Sequence, residues 1–291
     1  MEEFRQRLIY LCHFPGITWN EVYQILKQDP QLVNISRFLP KRFSQLSSMN
    51  SQIPSTHLYE FSQDYLIDQI RQYSSNGIEV ITYFDEQYPF MLKEIFQPPW
   101  CLFIKGNSEL LGIGKKLAIV GSRQASPYGL KVLQHILPPL LKKQIVIVSG
   151  LAKGIDAIAH RTTMDYGGQT IAVIAGGFYH LYPEENRRLA DSIASKHLII
   201  SEYPPETRPT KWQFPARNRI ISGLCEGTLI IEAKRKSGSL ITANYAVQEG
   251  REVFAIPGNI FSPFSAGTND LIQQGAKLIM SGEDILVELR G

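Results

Sequence analysis

The hydrophobic pattern changes character partway along the chain. Up to about residue 77, apolar positions recur at helical spacing. "FPGITWNEVYQILKQDP" opens with a Pro-Gly turn and then sets Val22, Ile25 and Leu26 on one helical face. Between Tyr59 and Gly77, Leu66, Ile70 and Tyr73 fall at i, i+4 and i+7, and Asn76-Gly77 reads as a C-terminal stop. The stretch between these segments, "SQLSSMNSQIPSTH", is polar and rich in turn formers. From about residue 78 short β-rich runs take over: "EVITYF", "CLFIK", "LAIV", "IVIV", "TIAVIA", "HLII", "TLII" and "EVFAI". From Leu117 onward most are separated by helix-length segments. Strands that are apolar throughout and alternate with helices indicate a parallel sheet covered on both faces. The pattern therefore predicts an α/β, doubly wound, mostly parallel sheet over 78–291, preceded by a small all-α domain over 1–77.

Composition narrows the class. At 44% hydrophobic and 20% charged residues, the 291-residue chain can bury a full core. Its net charge is only +3, so an anionic partner must be held by a local patch. Seven cations and seven acids cancel within residues 1–77, which leaves the positive excess in the remainder. Three cysteines without a CxxC argue against a zinc knuckle or a disulfide framework, and no metal is expected. No apolar run reaches the ~18 residues of a membrane span. The N-terminus lacks an apolar signal core, so a cytoplasmic location without membrane contact is the expectation.

Ligands of doubly wound folds bind at the carboxyl ends of the strands. Here those ends read Gly121-Ser122-Arg123, Ser149-Gly150, Gly176-Gly177, Ser201-Glu202, Glu232-Ala233 and Pro257-Gly258. Small residues let a ligand approach the backbone, whose N–H groups suit anions. Ser126 and Pro127 predict a helix start after the first of these turns. There is no GxxxxGK[ST], and "GIGKKL" precedes its strand, so neither a P-loop nor a standard NAD site is supported.

The proline-rich loop Tyr203–Arg219 is long enough to carry function. Over Pro205–Lys236 seven cations face three acids. In "KWQFPARNRIISG" a helix is predicted from Ile220, which puts Arg217 and Arg219 in or just before its first turn. Cations there are disfavoured by ~0.3–1 kcal/mol each. Lys234, Arg235 and Lys236 likewise precede a helix start at Ser237-Gly238-Ser239. An external polyanion would offset both, and Phe214 offers a face on which a base can stack, the combination used for single-stranded nucleic acid. Plainer readings stand beside this one. Arg123 could pair with Glu202 or Glu232, Phe214 could be core, and the arginines and lysines could be a solvated face. Asp156 and His160, at i and i+4, have no nucleophile or metal-ligand partner and read as anchors of the "SGLAKG" loop.

These segments, taken in order, resemble the DprA/Smf family of bacterial DNA-processing proteins: "AIVGSR", "SGLAKGIDAIAH", "GGFYHLYPEEN", "SEYPP", "FPARNRIISGL", "TLIIEAKRKSGSLITA" and "GREVFAIPG". The likeness spans about residues 78–291, and the helical N-terminus resembles the family's sterile-alpha-motif-like domain. The resemblance implies an extended Rossmann-like fold and a homodimer. It also implies a single-stranded DNA-binding protein of natural transformation that protects incoming strands and loads a RecA-type recombinase. It implies no cofactor and no catalysis. Carried over, Gly121, Ser122, Arg123, Ser149, Gly150, Lys211, Phe214, Arg217, Asn218, Arg219, Lys236, Ser237 and Gly238 form the nucleic-acid site. Leu271, Ile272 and Leu278 form the dimer segment. Two departures matter: Glu184 stands where some relatives have a basic residue, and the winged-helix tail of longer relatives is missing, so duplex contacts of that kind are not expected. A second reading is a nucleoside monophosphate hydrolase of the lysine-decarboxylase-like group. "CEGTLIIE" resembles part of its PGGxGTxxE motif, but the PGG is missing and Glu232 lies one residue further on. A third is a recruitment scaffold acting through the C-terminal surface and the helical domain.

Overall fold

The computed structural model describes residues 2–14, 16–35, 38 and 63–289. The turn-rich stretch 44–57, the start of the Tyr59 segment, the Leu66 side chain and Pro15 lie outside the described residues. Among the described residues three helices come first: α1 (Glu2–Cys12), α2 (Trp19–Gln28) and α3 (Gln63–Ser75). Helix α2 starts because Thr18 and Glu21 satisfy each other's backbone: the Glu21 N–H donates to Thr18 Oγ1 at 3.3 Å and the Thr18 N–H to Glu21 Oε2 at 2.8 Å. Helix α3 stops at Asn76-Gly77, where Gly77 takes φ +69°.

The rest is one nine-stranded sheet. Strands β1 (Ile78–Thr82) and β2 (Cys101–Gly106) pair antiparallel, with α4 (Phe90–Lys93) between them in sequence. The alternation that follows is β3 (Lys116–Val120), α5 (Pro127–Lys142), β4 (Val146–Ser149), α6 (Ile155–Asp165), β5 (Thr170–Ile174), α7 (Arg187–Lys196) and β6 (Leu198–Ser201). Then come α8 (Gln213–Gly223), β7 (Gly227–Ile230), α9 (Gly238–Gln248), β8 (Glu252–Ala255), α10 (Ala266–Gln273), β9 (Lys277–Leu278) and α11 (Gly282–Glu288). The order across the sheet is β1-β2-β6-β5-β4-β3-β7-β8-β9. Strands β3 to β9 run parallel, and β2 joins β6 antiparallel. The chain thus winds from β3 outward through β4, β5 and β6, then returns and winds the other way from β7. That reversal leaves a topological switch point between β3 and β7, where an open α/β sheet has room for a ligand.

Both faces of the sheet are buried, as the apolar strands demand. Ala118 and Val120 face one core with Val148, Val173 and Ile220, while Leu117 and Ile119 face the other with Leu133, Leu137 and Ile155. The N-terminal helices build a third core on the β1–β2 pair, joining Leu8, Leu11, Val22 and Tyr73 to Ile78, Val80 and Phe103. Trp19 fixes this docking by stacking on Trp100, ring centroids 5.1 Å apart, and by donating its indole N–H to the Pro98 carbonyl at 2.7 Å.

Candidate nucleic-acid interface

At the switch point the strand ends enclose a crevice of about 850 Å³. One wall is the turn after β3, Gly121-Ser122-Arg123. It rests on Gly154, which takes φ +75°; a Cβ there would run into the Ser122 and Arg123 carbonyls. The Ile155 N–H donates to the Ser122 carbonyl at 3.1 Å and closes that contact. The opposite wall is the start of α9, where Ser237 accepts from the Ser239 N–H at 3.3 Å, beside Gly238 and Lys236.

The third side comes from the proline-rich loop and α8, which bring in Lys211 and Phe214. The loop is fixed by the Gly176-Gly177 turn. The Gly177 N–H donates to the Thr207 carbonyl at 2.8 Å and the Tyr179 N–H to the Pro205 carbonyl at 2.9 Å. A Cβ at Gly177 would collide with the Pro204 and Pro205 carbonyls, so only glycine lets the loop lie this close. Tyr73 of α3 braces the loop from behind, donating its hydroxyl to Glu206 Oε2 at 2.8 Å.

Inside the crevice the Arg123 guanidinium lies 5.7 Å from the centroid of the Phe214 ring. Tyr182 packs edge-on against the same ring, centroids 5.7 Å apart. Arg123, Lys211 and Lys236 are exposed, and among the described residues no carboxylate lies within ion-pair distance of them. The two carboxylates that could have taken Arg123 are engaged elsewhere. Glu202 pairs with Arg219. Glu232 is buried and holds the start of α5, accepting from the Ser126 N–H at 3.0 Å and from the Ser126 hydroxyl at 2.5 Å. Glu232 does not line the crevice, and the described residues contain no group of three His, Cys, Asp or Glu placed to hold a metal.

The structure brings together Gly121, Ser122, Arg123, Lys211, Phe214, Arg217, Asn218, Lys236, Ser237 and Gly238 as lining residues. Three others do not line the crevice. Ser149 is fully buried and donates its hydroxyl to the Ile119 carbonyl at 2.6 Å, and the Gly150 carbonyl meets His160 Nε2 at 2.6 Å. Arg219 does not line the crevice; it pairs with Glu202, the two side chains being 13% and 17% exposed. Helix α8 begins at Gln213 and not at Ile220, so neither arginine sits at a helix start. In the turn before it, Gln213 Oε1 accepts from the Thr210 N–H at 2.5 Å and from the Thr210 hydroxyl at 2.8 Å. Pro215 is tolerated because it falls in the first turn. Arg217 lies at the crevice floor, buried, donating Nη1 to the Val173 carbonyl at 2.5 Å and Nε to Asn218 Oδ1 at 3.1 Å.

Asp156 is buried beside Arg217. Burial pushes its carboxyl up, against the pull of Arg217 and of the Ala152 and Gly121 N–H groups that donate to it. Burial likewise lowers the Arg217 guanidinium, opposed by Asp156. Together with His160 this carboxylate anchors the "SGLAKG" loop. Tyr182 and Gln124 also line the crevice, with no signal in the sequence that marks them, and so does Lys234 of the Lys234–Lys236 run. Lys234 donates to Gln124 Oε1 at 3.0 Å, while Arg235 turns away to Asp270 at 3.0 Å.

His160 carries a pH signature. It is fully buried between Gly150 and Thr170, and burial lowers its pKa from 6.5 to about 4. The unfolded chain takes up this proton first. The stabilisation is therefore complete above pH 6.5 and is lost as pH falls towards 4. Between pH 7 and pH 5 it should amount to about 2 kcal/mol. Buried His13 titrates in the same direction, so in urea unfolding the loss from pH 7 to pH 5 should be smaller in His160→Gln than in wild type by this amount; parallel pH profiles would refute the assignment.

Of the predicted dimer segment, Leu271 packs half-buried against the core and Ile272 is half-buried, whereas Leu278 is exposed on the sheet's edge strand β9, near exposed Met280.

A strand-end crevice at the switch point of a mostly parallel sheet defines the class, a Rossmann-like α/β protein. The chain matches the family model of DNA recombination-mediator protein A over residues 79–290, and it belongs to that family, the DprA family. DNA processing protein DprA of Bacillus subtilis is 54% identical over 217 residues, 75% of this chain and 73% of its own. Its counterpart in Streptococcus pneumoniae is 47% identical over 280 residues, 96% of each chain. The X-ray structure of the pneumococcal protein superposes with a TM-score of 0.81 at 40% identity over 97% of both chains. DNA processing protein A of Helicobacter pylori, described for its single-stranded DNA binding mode, superposes with a TM-score of 0.66 at 30% identity, over 73% of this chain and 95% of its own. No helix among the described residues is long and apolar enough to cross a membrane.

Proposed function

We propose that the crevice binds single-stranded DNA. The observation that carries this reading is the set of three exposed, unpaired cations, Arg123, Lys211 and Lys236, around the Phe214 ring. Phosphates meet the cations beside the Gly121–Arg123 and Ser237–Gly238 turns, and a base stacks on Phe214. Such contacts read little sequence. The Helicobacter pylori relative's single-stranded DNA binding supports the same ligand here. From the family we take the wider role: a cytoplasmic protein of natural transformation that protects incoming strands and loads a RecA-type recombinase. The reading requires no cofactor and no catalytic step. Residues 1–77 act as a helical domain docked on β1 and β2 that braces the crevice loop through Tyr73 and Glu206.

The test is equilibrium binding of a fluorescent ~35-nucleotide strand against a duplex control at several salt concentrations. Single strands should be preferred, with a log–log salt slope of about −0.7 per phosphate neutralised. Equal affinity for duplex would mean that the pocket is misassigned, and release of free base from a nucleotide would favour the hydrolase reading.

We also propose that the protein is a homodimer formed through the β9 edge, because an unpaired edge strand beside exposed Leu278 and Met280 invites pairing. Leu278→Arg should convert a sedimenting dimer to monomer without changing the affinity of a single crevice for a short strand. An unchanged dimer would remove β9 from the interface.

A further inference from the structure

We propose that the strand-binding surface crosses the Gly121–Arg123 loop into a second groove, where Lys153 and Arg161 hold phosphates adjacent to those in the crevice. This rests on the reading of the crevice as a single-stranded DNA site. The second groove measures about 550 Å³, and Arg123 and Gln124 line both cavities. The loop is therefore a ridge between two depressions, with the Arg123 side chain common to both.

The groove has the chemistry of a phosphate track. Three cations, Arg123, Lys153 and Arg161, face one carboxylate, Glu185. Arg161 is exposed, and its contact with Asn186 Oδ1, at 3.5 Å, is at the limit of a hydrogen bond. Asn186 is fixed in the floor by donating Nδ2 to the Leu151 and Ala152 carbonyls at 3.0 and 3.2 Å, which holds its Oδ1 at that long distance from the guanidinium. Lys153 pairs with Glu185, but both side chains are half exposed, at 51% and 52%. Exposed pairs contribute little, so a phosphate can draw Lys153 from Glu185. Among the described residues no aromatic ring lines this groove. It should hold backbone without stacking bases, in contrast to the crevice with Phe214.

The experiment measures salt-dependent binding of oligothymidines from ~4 to ~16 nucleotides, the range of site sizes of single-strand-binding folds. It compares wild type, Arg161→Lys and the double variant Lys153→Gln with Arg161→Gln, after thermal melting confirms that each is folded. The shortest strands should bind the double variant as they bind wild type. The longest should lose affinity several-fold, with a slope shallower by about 1.4, the value for two phosphates. Arg161→Lys should keep the wild-type slope. A strand extended with abasic residues should retain the length-dependent gain, because only its phosphates are held. Longest strands bound by the double variant with unchanged affinity and slope would overturn the second groove and leave the crevice reading intact. Shortest strands ignored by wild type, with the length-dependent loss still present, would uphold the groove and overturn the crevice. Failure of every strand to bind wild type would overturn both.

Discussion

Arg219→Ala should cost about 3–5 kcal/mol of stability and leave affinity for single-stranded DNA unchanged. The reason lies in its partner. Glu202 follows β6, and its carboxylate is buried against the Arg219 guanidinium. One oxygen of Glu202 already lacks a hydrogen-bond partner. Without the guanidinium the whole carboxylate would be buried and uncompensated. Burial pushes the Glu202 carboxyl up, and Arg219 is what opposes it. In the variant nothing equivalent remains, so the folded-state pKa should rise further. A group whose folded pKa is raised stabilises below its unfolded pKa and loses that contribution as pH rises through the folded value. The deficit of Arg219→Ala should therefore be large at pH 8 and shrink as pH falls towards 5, in urea unfolding at both. Wild-type stability combined with weakened DNA binding would instead make Arg219 a phosphate ligand.

In the crevice, Phe214→Ala should weaken single-strand binding by about 1–3 kcal/mol with little change in salt slope, because a stacking surface carries no charge. Arg123→Ala should make the slope shallower by about 0.7, one phosphate's worth. The two residues touch, at 5.7 Å from guanidinium to ring centroid. Their effects should therefore not add, and the double variant should lose less than the sum. Fluorescence anisotropy across a salt series separates the two contributions. Both variants matching wild type would mean that DNA binds elsewhere.

Much of this site is readable in the sequence because it is built from strand ends. All eight predicted runs hold strands, and the small residues after β3 and the cations before α9 lie where the pattern puts them. What was not readable is which cation faces which carboxylate. Arg217 and Arg219 are two residues apart in one helix, yet one lies at the crevice floor beside Asp156 and the other pairs with Glu202. Those partners come from other elements, and a one-dimensional charge count assigns both arginines to the ligand. The helix starts earlier than its apolar run: α8 begins at Gln213, with Pro215 in its first turn, and the run from Ile220 marks only its second half. The ninth strand, at two residues, is too short to leave a periodic signal.

The Gly176-Gly177 turn has a kinetic consequence. Because it clamps the proline-rich loop, Lys211 and Phe214 are in place before any strand arrives. Encounter then need not wait for a loop to order, and long-range attraction to the cationic rim sets the arrival rate. Added salt should slow association steeply. Departure should depend mainly on how firmly the base is stacked.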